Sequence, residues 1–161
     1  MGQFLSNCSV DALANAAQSL REGSLVAFPT ETVYGLGGDA TNALAVARIY
    51  EVKGRPADHP LIVHIADLKY LEQWISDIPG YAISLAREFW PGPMTLILHR
   101  SELAKDFITG GQNTVGIRIP NNMIAGIPKS MIVLTSPFTS SNGNLSISDI
   151  DSILILVFRS S

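Results

Sequence analysis

Apolar runs of strand length alternate with amphipathic stretches along the first 120 residues of the chain. Apolar residues recurring at helical spacing predict helices at 11–20, 43–52, 68–74 and 80–90. Short apolar runs bounded by Gly, Pro or Asn predict strands at 24–28, 61–65, 94–98 and 114–120. Because helices and strands alternate without an internal repeat or a linker, the pattern predicts a single α/β domain.

The pattern weakens after Pro120. Residues 121–130 show no clear period, Met131–Leu134 is compatible with a strand, and 135–148 is rich in Ser, Thr and Asn. The chain then ends on an apolar run, Ile153–Phe158, to which we assign no element.

The strand at 24–28 runs into a segment of hydroxyls, one carboxylate and three glycines, Pro29–Gly38, which we predict to be a loop. Open α/β sheets place ligands where a strand ends in such a loop. The glycine spacing is wrong for a P-loop. An ordinary turn is the alternative, although it would not need Thr30, Thr32 and Tyr34 together.

Composition limits the kinds of ligand and compartment. The chain has 161 residues, of which 47% are hydrophobic and 16% charged, with a net charge of −3. The net negative charge argues against a protein that coats nucleic acid. Any site for a polyanion would therefore need several of the few basic residues to lie close together. The single cysteine, Cys8, fits a reducing cytosol, and no apolar run reaches membrane-spanning length. We therefore expect a cytoplasmic protein without a membrane partner.

Two cations flank a glycine in Lys53-Gly-Arg-Pro56, directly after the helix that Thr41 or Asn42 is predicted to cap. Glycine lets the backbone approach a ligand, proline fixes the exit of the loop, and arginine offers a planar fork to paired oxygens. The segment is thus a candidate clamp for phosphate or carboxylate. A solvated basic turn is the alternative.

His64 and Arg118 each interrupt an apolar strand. Period two places His64 with Ile62, and Arg118 with Gly116, on the face opposite the remaining apolar residues. An arginine between isoleucines is costly to bury without a partner, and the glycine leaves room beside it. An anionic ligand or a structural salt bridge explains Arg118, whereas His64 is either a functional residue or a satisfied core histidine.

Five separated motifs resemble the YrdC-type L-threonylcarbamoyladenylate synthase family, the TsaC-like proteins. They are Phe28-Pro-Thr-Glu-Thr-Val-Tyr-Gly-Leu-Gly37, Lys53-Gly-Arg-Pro56, His59-Pro-Leu-Ile-Val-His64, Trp90-Pro-Gly-Pro-Met-Thr-Leu-Ile-Leu98 and Val115-Gly-Ile-Arg-Ile-Pro120. The resemblance implies one YrdC-like domain over 8–161, with a strong match over 10–120 and a weaker one over 121–161. It also implies a twisted, open, mixed sheet with flanking helices.

The resemblance further implies a nucleotidyltransferase that forms threonylcarbamoyl-AMP and pyrophosphate from L-threonine, bicarbonate and ATP. ATP is then a substrate, Mg²⁺ its helper, and no side chains form a dedicated metal site. The product would supply a threonylcarbamoyl transferase complex of the Kae/TsaD type that modifies adenosine 37 of tRNA. Direct tRNA binding is a weaker expectation because of the net charge.

Site residues are carried over motif by motif. Thr32, His64 and Arg118 are expected to bind L-threonine, and Lys53 and Arg55 are expected to act in catalysis. The residues expected to bind ATP are Lys53, Arg55, His59, Thr114, Ser140, Asn142 and Ser148.

Two rival functions follow from the same residues. The segment after Pro120 departs from the family pattern around Ser140, Asn142 and Ser148, so the first rival is a catalytically impaired module that binds nucleotide or RNA. The second is a carbamoyl-transfer domain of the hydrogenase-maturation type. Such domains normally lie within much longer chains.

Overall fold

A computed structural model describes the backbone of residues 3–4, 10–29, 34–121, 130–134 and 155–156. Side-chain surroundings are described for residues 11–27 and 35–121. The helices are α1 (Val10–Arg21), α2 (Ala43–Lys53), α3 (Leu71–Trp74), α4 (Gly80–Phe89) and α5 (Asp106–Thr109). The strands are β1 (Gln3–Phe4), β2 (Val26–Pro29), β3 (Tyr34–Gly38), β4 (Ile62–Ile65), β5 (Thr95–His99), β6 (Thr114–Arg118), β7 (Ser130–Leu134) and β8 (Ile155–Leu156).

The described strands form one mixed sheet in the order β1-β2-β3-β7-β4-β6-β5-β8. At its centre β4 runs parallel to β6, with Ile62 opposite Gly116 and His64 opposite Arg118. β5 lies antiparallel on the other side of β6, with Leu96 opposite Ile117 and His99 opposite Thr114. β7 lies antiparallel to β4. This mixed α/β architecture confirms the predicted fold class.

The central strands have one apolar face and one face that carries polar groups. Val63, Ile65, Leu96, Val115 and Ile117 are buried in a continuous hydrophobic cluster with side chains from α2, α3 and α4. Because side chains alternate along a strand, the residues between them point to the opposite face. Those residues include His64, Thr95 and Arg118, so this second face carries the candidate chemistry.

Local signals explain α2 well. The Asn42 side chain accepts hydrogen bonds from the backbone N–H groups of Leu44 and Ala45, at 3.0 and 3.2 Å. Of the two predicted caps, Asn42 is therefore the one that satisfies the free N–H groups of the first turn. At the other end, Gly54 adopts φ 59° and ψ 29°, a left-handed conformation that favours glycine and ends the helix.

The prediction that the whole of 29–38 is a loop is wrong for residues 34–38. These residues form β3, which pairs antiparallel with both β2 and β7. Three glycines in five residues lower strand propensity, but pairing on both sides determines the backbone conformation. A Cβ on Gly38 would lie 3.0 Å from Leu25 Cδ2 and 3.2 Å from Ile49 Cδ1, so the glycine lets α2 pack closely on the sheet.

The other predicted elements are present, with ends that differ by one or two residues. The segment 68–74 is divided into a 3-10 turn, Leu68–Tyr70, and the short helix α3. The four-residue α5 and the two-residue strands β1 and β8 were not predicted, because elements this short carry no measurable period. Within the described residues, no helix is long and apolar enough to cross a bilayer.

Candidate functional site

Lys53 and Arg55 lie on either side of the glycine that ends α2. The backbone N–H of Gly54 donates to the carbonyl of Glu51 at 3.2 Å, and that of Arg55 donates to Tyr50 at 3.1 Å. Nothing lies within 4 Å of a Cβ built on Gly54, so its left-handed backbone, rather than crowding, makes glycine the suitable residue. The turn thus holds two cations two residues apart at the end of one helix.

The loop that continues from Arg55 to β4 is fixed by partly buried hydrogen bonds. The Tyr50 hydroxyl donates to the His59 carbonyl at 2.7 Å and lies 3.3 Å from the Phe107 carbonyl. The Leu61 N–H donates to the Ile108 carbonyl at 2.8 Å. A Cβ on Gly110 would collide with the Asp58 carbonyl oxygen, so this glycine permits close contact. The loop therefore lies at the start of β4, against the turn that leads into β6.

Charge and burial act together at Lys53. The side chain is partly buried. Burial and, to a smaller extent, the charge of Arg55 lower the pKa of Lys53 to about 8. The ammonium therefore remains largely protonated at neutral pH, and an anion bound beside it would raise its pKa again.

His64 and Arg118 lie opposite each other on β4 and β6, at the carboxyl ends of two parallel strands. His64 is 1% exposed and Arg118 is 5% exposed, so both lie at depths where polar side chains need partners. Neither ring nitrogen of His64 has a hydrogen-bond partner. A buried imidazole with both nitrogens unpaired is expected where a ligand completes the hydrogen bonds.

His64 is a neutral imidazole at physiological pH. Burial and, secondarily, the Arg118 charge lower the pKa of His64 to about 3. A neutral ring has one donor and one acceptor nitrogen, so it can pair with either an N–H or an oxygen of a ligand. It does not act there as a second cation beside Arg118.

A Pro-Gly-Pro turn orients Arg118. The Arg118 Nε–H donates to the Gly92 carbonyl at 2.8 Å, while the Gly92 N–H donates to the Ile119 carbonyl at the same distance. Trp90 stabilises the turn through its indole N–H, which donates to the Met94 carbonyl at 2.7 Å. The guanidinium is thus fixed by a backbone carbonyl as well as by its strand.

Thr114 and Gly116 continue the polar face of β6 toward the cationic loop. Both are partly buried, and period two places them on the same face as Arg118. Four residues of strand separate Thr114 from Arg118 by about 13 Å. The face therefore extends from Thr114 at the start of β6 to Arg118 at its end.

The remaining predicted residues divide into two groups. His59 lies in the loop after Arg55 and is exposed, while its backbone is held by Tyr50. Thr32, Ser140, Asn142 and Ser148 lie outside the described residues. The structure thus brings His64 and Arg118 together, places Thr114 at the other end of β6, and places Lys53 and Arg55 at the end of α2.

The sequence pattern did not predict three residues that contribute to the candidate site. Tyr50 fixes the cationic loop, Gly92 fixes Arg118, and Thr95 is a third buried polar residue on the Arg118 face, 1% exposed with no partner for its hydroxyl. A signal exists for Thr95 alone, since it is the single polar residue in the apolar run 94–98. The roles of Tyr50 and Gly92 depend on tertiary contacts.

Other polar clusters in the described part of the chain do not join this site. A cavity of about 640 Å³ is lined by Arg100, Lys105, Asp106 and neighbouring residues. Arg100 is already paired there with Asp106 at 2.6 Å. The described residues include no group of three or more His, Cys, Asp or Glu side chains placed to hold a metal ion.

Polar side chains at the carboxyl ends of strands in an open α/β sheet are typical of small-ligand sites. Comparisons with known proteins identify the family. Residues 18–153 match the Sua5/YciO/YrdC family model, described as "Telomere recombination". The chain belongs to this family, which confirms the predicted relationship.

Curated relatives and a solved structure agree. Threonylcarbamoyl-AMP synthase of Pyrococcus abyssi is 57% identical over 110 residues, which cover 68% of this chain and 32% of that protein. The Bacillus subtilis protein of the same name is 47% identical over 134 residues, 81% of this chain and 39% of that protein. The crystal structure of P. abyssi Sua5 complexed with L-threonine is 45% identical with a TM-score of 0.77, covering 84% of this chain and 42% of that one.

The chain therefore spans between 32% and 39% of the length of these two curated relatives.

Proposed function

We propose that this chain provides the site of a threonylcarbamoyl-AMP synthase. The reaction converts L-threonine, bicarbonate and ATP into threonylcarbamoyl-AMP and pyrophosphate. A Pyrococcus abyssi relative of that name is 57% identical over 110 residues, and one solved relative is a complex with L-threonine.

The observation that carries the proposal is the buried pair His64 and Arg118. They lie side by side at the carboxyl ends of parallel strands, and the imidazole has no hydrogen-bond partner. An amino acid offers what this pair needs, because Arg118 can take its carboxylate and His64 can pair with its amino or hydroxyl group. Thr32 is proposed as a further contact to L-threonine.

The nucleotide is proposed to lie toward the other end of β6. Lys53 and Arg55 face its phosphates, an arrangement supported by their position around one fixed turn and by the positive charge of both side chains at neutral pH. The further proposed ATP contacts are His59, Thr114, Ser140, Asn142 and Ser148.

The proposed chemistry needs positioning more than a nucleophilic side chain. L-Threonine and bicarbonate give the threonine carbamate and water. A carbamate oxygen then attacks the α-phosphorus of ATP, forming a new oxygen–phosphorus bond while the bond to the β-phosphate oxygen breaks and pyrophosphate leaves. Lys53 and Arg55 would neutralise charge on the phosphates, and the fixed sheet would align the two substrates.

Mg²⁺ is proposed only as the ion that accompanies ATP. Divalent magnesium is held mainly by phosphates with few protein ligands in many nucleotide sites. The described residues offer no cluster of carboxylates or histidines, so this part of the chain does not fit a resident metal. No step is assigned to a protein-held ion.

The product is a mixed anhydride, so an enzyme that transfers its threonylcarbamoyl group must follow. We propose a Kae/TsaD-type transferase complex acting on adenosine 37 of tRNA as that consumer, with both reactions in the cytoplasm. The net charge of −3 favours passing on a small product over direct tRNA binding by this chain.

Mass spectrometry of a reaction containing the purified chain, ATP, bicarbonate and L-threonine tests the proposal. We expect threonylcarbamoyl-AMP and pyrophosphate only when all three substrates are present. Binding of ATP without turnover would instead support a nucleotide-binding module and contradict the proposed activity.

Two variants and one control sharpen this test. Lys53→Ala and Arg118→Ala are expected to lose product while remaining folded. Lys69→Ala is the matched control, because Lys69 is an exposed lysine whose ammonium pairs with Asp67. Pyrophosphate release by both site variants at the rate of the control would contradict the assignment of these residues.

A further inference from the structure

Three polar side chains form one row across three neighbouring strands. His64 on β4 lies opposite Arg118 on β6. On the other side of β6, Leu96 lies opposite Ile117, and continuing this antiparallel register by one residue sets Thr95 opposite Arg118. Directly opposite residues have Cβ atoms about 5 Å apart, so Thr95 and His64 flank the arginine.

The side-chain direction of Thr95 is supported by an independent contact. A Cβ built on Gly116 would lie 3.3 Å from Thr95 Cγ2 and 3.6 Å from Ile62 Cγ1. Thr95 and Ile62 therefore border Gly116 on the same face, which is also the face of Arg118 and His64. A side chain at position 116 would crowd Thr95, so the glycine lets Thr95 pack against β6 beside Arg118.

The Thr95 hydroxyl has an unmet hydrogen-bonding requirement. The residue is 1% exposed, and its Oγ1 has no hydrogen-bond partner. Leaving a buried hydroxyl unpaired is costly, and most buried hydroxyls find a backbone or side-chain acceptor. His64 and Thr95 thus lie on either side of the Arg118 cation. Both carry buried polar atoms that have no hydrogen-bond partner.

We propose that Thr95 is a third side chain of the amino-acid subsite, whose hydroxyl donates a hydrogen bond to the same ligand carboxylate that Arg118 binds. This inference rests on the proposed function. A carboxylate has about four acceptor positions, more than one guanidinium fills, so a neighbouring O–H donor completes its coordination. Thr95 has no part in holding the nucleotide.

The variants Thr95→Val and Thr95→Ser test the proposal on the chain as it stands. Valine keeps the shape of threonine and removes the hydroxyl, whereas serine keeps the hydroxyl. Calorimetric titration with L-threonine should show about tenfold weaker binding for Thr95→Val and a change of about twofold or less for Thr95→Ser. The KM for ATP should remain within about twofold of wild type in both variants.

Thermal stability separates a ligand contact from a structural role. Removing an unpaired buried hydroxyl should leave the melting temperature of the free Thr95→Val protein unchanged or higher. Weaker L-threonine binding combined with an equal or higher melting temperature supports the proposal. A lower melting temperature with a proportional loss of ATP and L-threonine binding would overturn it.

A second ligand identifies which group Thr95 contacts. L-2-Aminobutyrate keeps the carboxylate and lacks the side-chain hydroxyl of L-threonine. If Thr95 binds the carboxylate, Thr95→Val weakens both ligands by the same factor. A loss confined to L-threonine would overturn the carboxylate assignment.

Wild-type protein distinguishes the two possible failures. If it binds L-threonine and Thr95→Val binds equally well, the inference about Thr95 is wrong while the proposed function stands. If wild type binds no L-threonine, both are wrong.

Discussion

Arg118 combines deep burial, a strand position and a tie to the Gly92 carbonyl. Arg118→Lys keeps the positive charge but removes the planar fork and the Nε–H donor. We expect the KM for L-threonine to rise about 10- to 100-fold, as the loss of one charged hydrogen bond would cause, with little change in the KM for ATP. Steady-state kinetics with each substrate varied in turn measures this.

Arg100→Lys is the matched control for that substitution. Arg100 pairs with Asp106 and donates to the Ala104 carbonyl at 2.9 Å, outside the proposed site. Its replacement should cost some stability and leave the KM for L-threonine unchanged. A rise in that KM equal to that of Arg118→Lys would point to general loosening of the fold.

His64 gives folding stability a pH dependence with a defined sign. Its pKa falls from 6.5 in the unfolded chain to about 3 in the folded protein. Between these values the unfolded chain binds more protons, so acid favours unfolding and stability rises with pH. Lowering the pH from 6.5 to 5.0 should therefore remove about 1.5 kcal/mol of His64-linked stability.

Urea denaturation at both pH values measures this effect. His64→Gln should remove most of the pH dependence in this window, whatever its effect on absolute stability. His99→Gln, at an exposed histidine, should keep it. Equal pH dependence in wild type and His64→Gln would show that His64 titrates normally.

At the scale of elements, α2 and the loop after it act as one unit. Tyr50 on the last turns of α2 donates to the His59 carbonyl in that loop. Tyr50→Phe removes the donor of a partly buried hydrogen bond, at a cost of about 1–2 kcal/mol. We expect a melting temperature lower by about 2–6 °C, together with a higher KM for ATP because the cationic loop is less well fixed.

Differential scanning fluorimetry and ATP kinetics measure the two effects of Tyr50→Phe. Tyr70→Phe, in the 3-10 turn before α3, is the control and should leave the KM for ATP unchanged. An unchanged KM for ATP in Tyr50→Phe would limit Tyr50 to a role in stability.

The sequence alone predicted the helices and strands whose signals lie within the element itself. Period and capping predicted α2 with Asn42 at its start, and alternation predicted that Arg118 and Gly116 share a face. β3 was missed because its glycines carry no strand signal, and its conformation comes from pairing with β2 and β7. The order of strands in the sheet also depends on contacts between distant parts of the chain. Only the tertiary structure could therefore show that His64 and Arg118 are neighbours.

The site follows the same division. Residue types and motifs predicted Lys53, Arg55, His64 and Arg118 as site residues, and of these the structure places His64 opposite Arg118. Tyr50 and Gly92 escaped because their contacts, to the carbonyl of a distant loop and to the side chain of a distant strand, leave no pattern in the sequence.

At the scale of the whole molecule, the sheet separates stability from binding. The hydrophobic cluster occupies one face of the central strands, and the proposed substrates occupy the other. A ligand that binds only the folded state stabilises it by about 2.7 kcal/mol at one hundred times its Kd. For a chain of this size, L-threonine or ATP should each raise the melting temperature by about 5–10 °C at that concentration.

Thermal shifts in the Arg118→Ala variant test the independence of the two proposed subsites. The variant should lose the shift caused by L-threonine and retain the shift caused by ATP. Loss of both shifts would contradict the separation of nucleotide and amino acid along β6.

The alternation along β6 has a consequence for how the chain tolerates insertions and deletions. Val115 and Ile117 serve the hydrophobic cluster, while Thr114, Gly116 and Arg118 belong to the opposite face. Inserting or deleting one residue within this strand would turn every later side chain to the other face, placing isoleucine in the site and arginine in the core. Single substitutions on either face can be accommodated separately, whereas a change in length inside the strand damages both at once. We therefore expect changes of length to be tolerated better in the turns that flank β6 than within the strand.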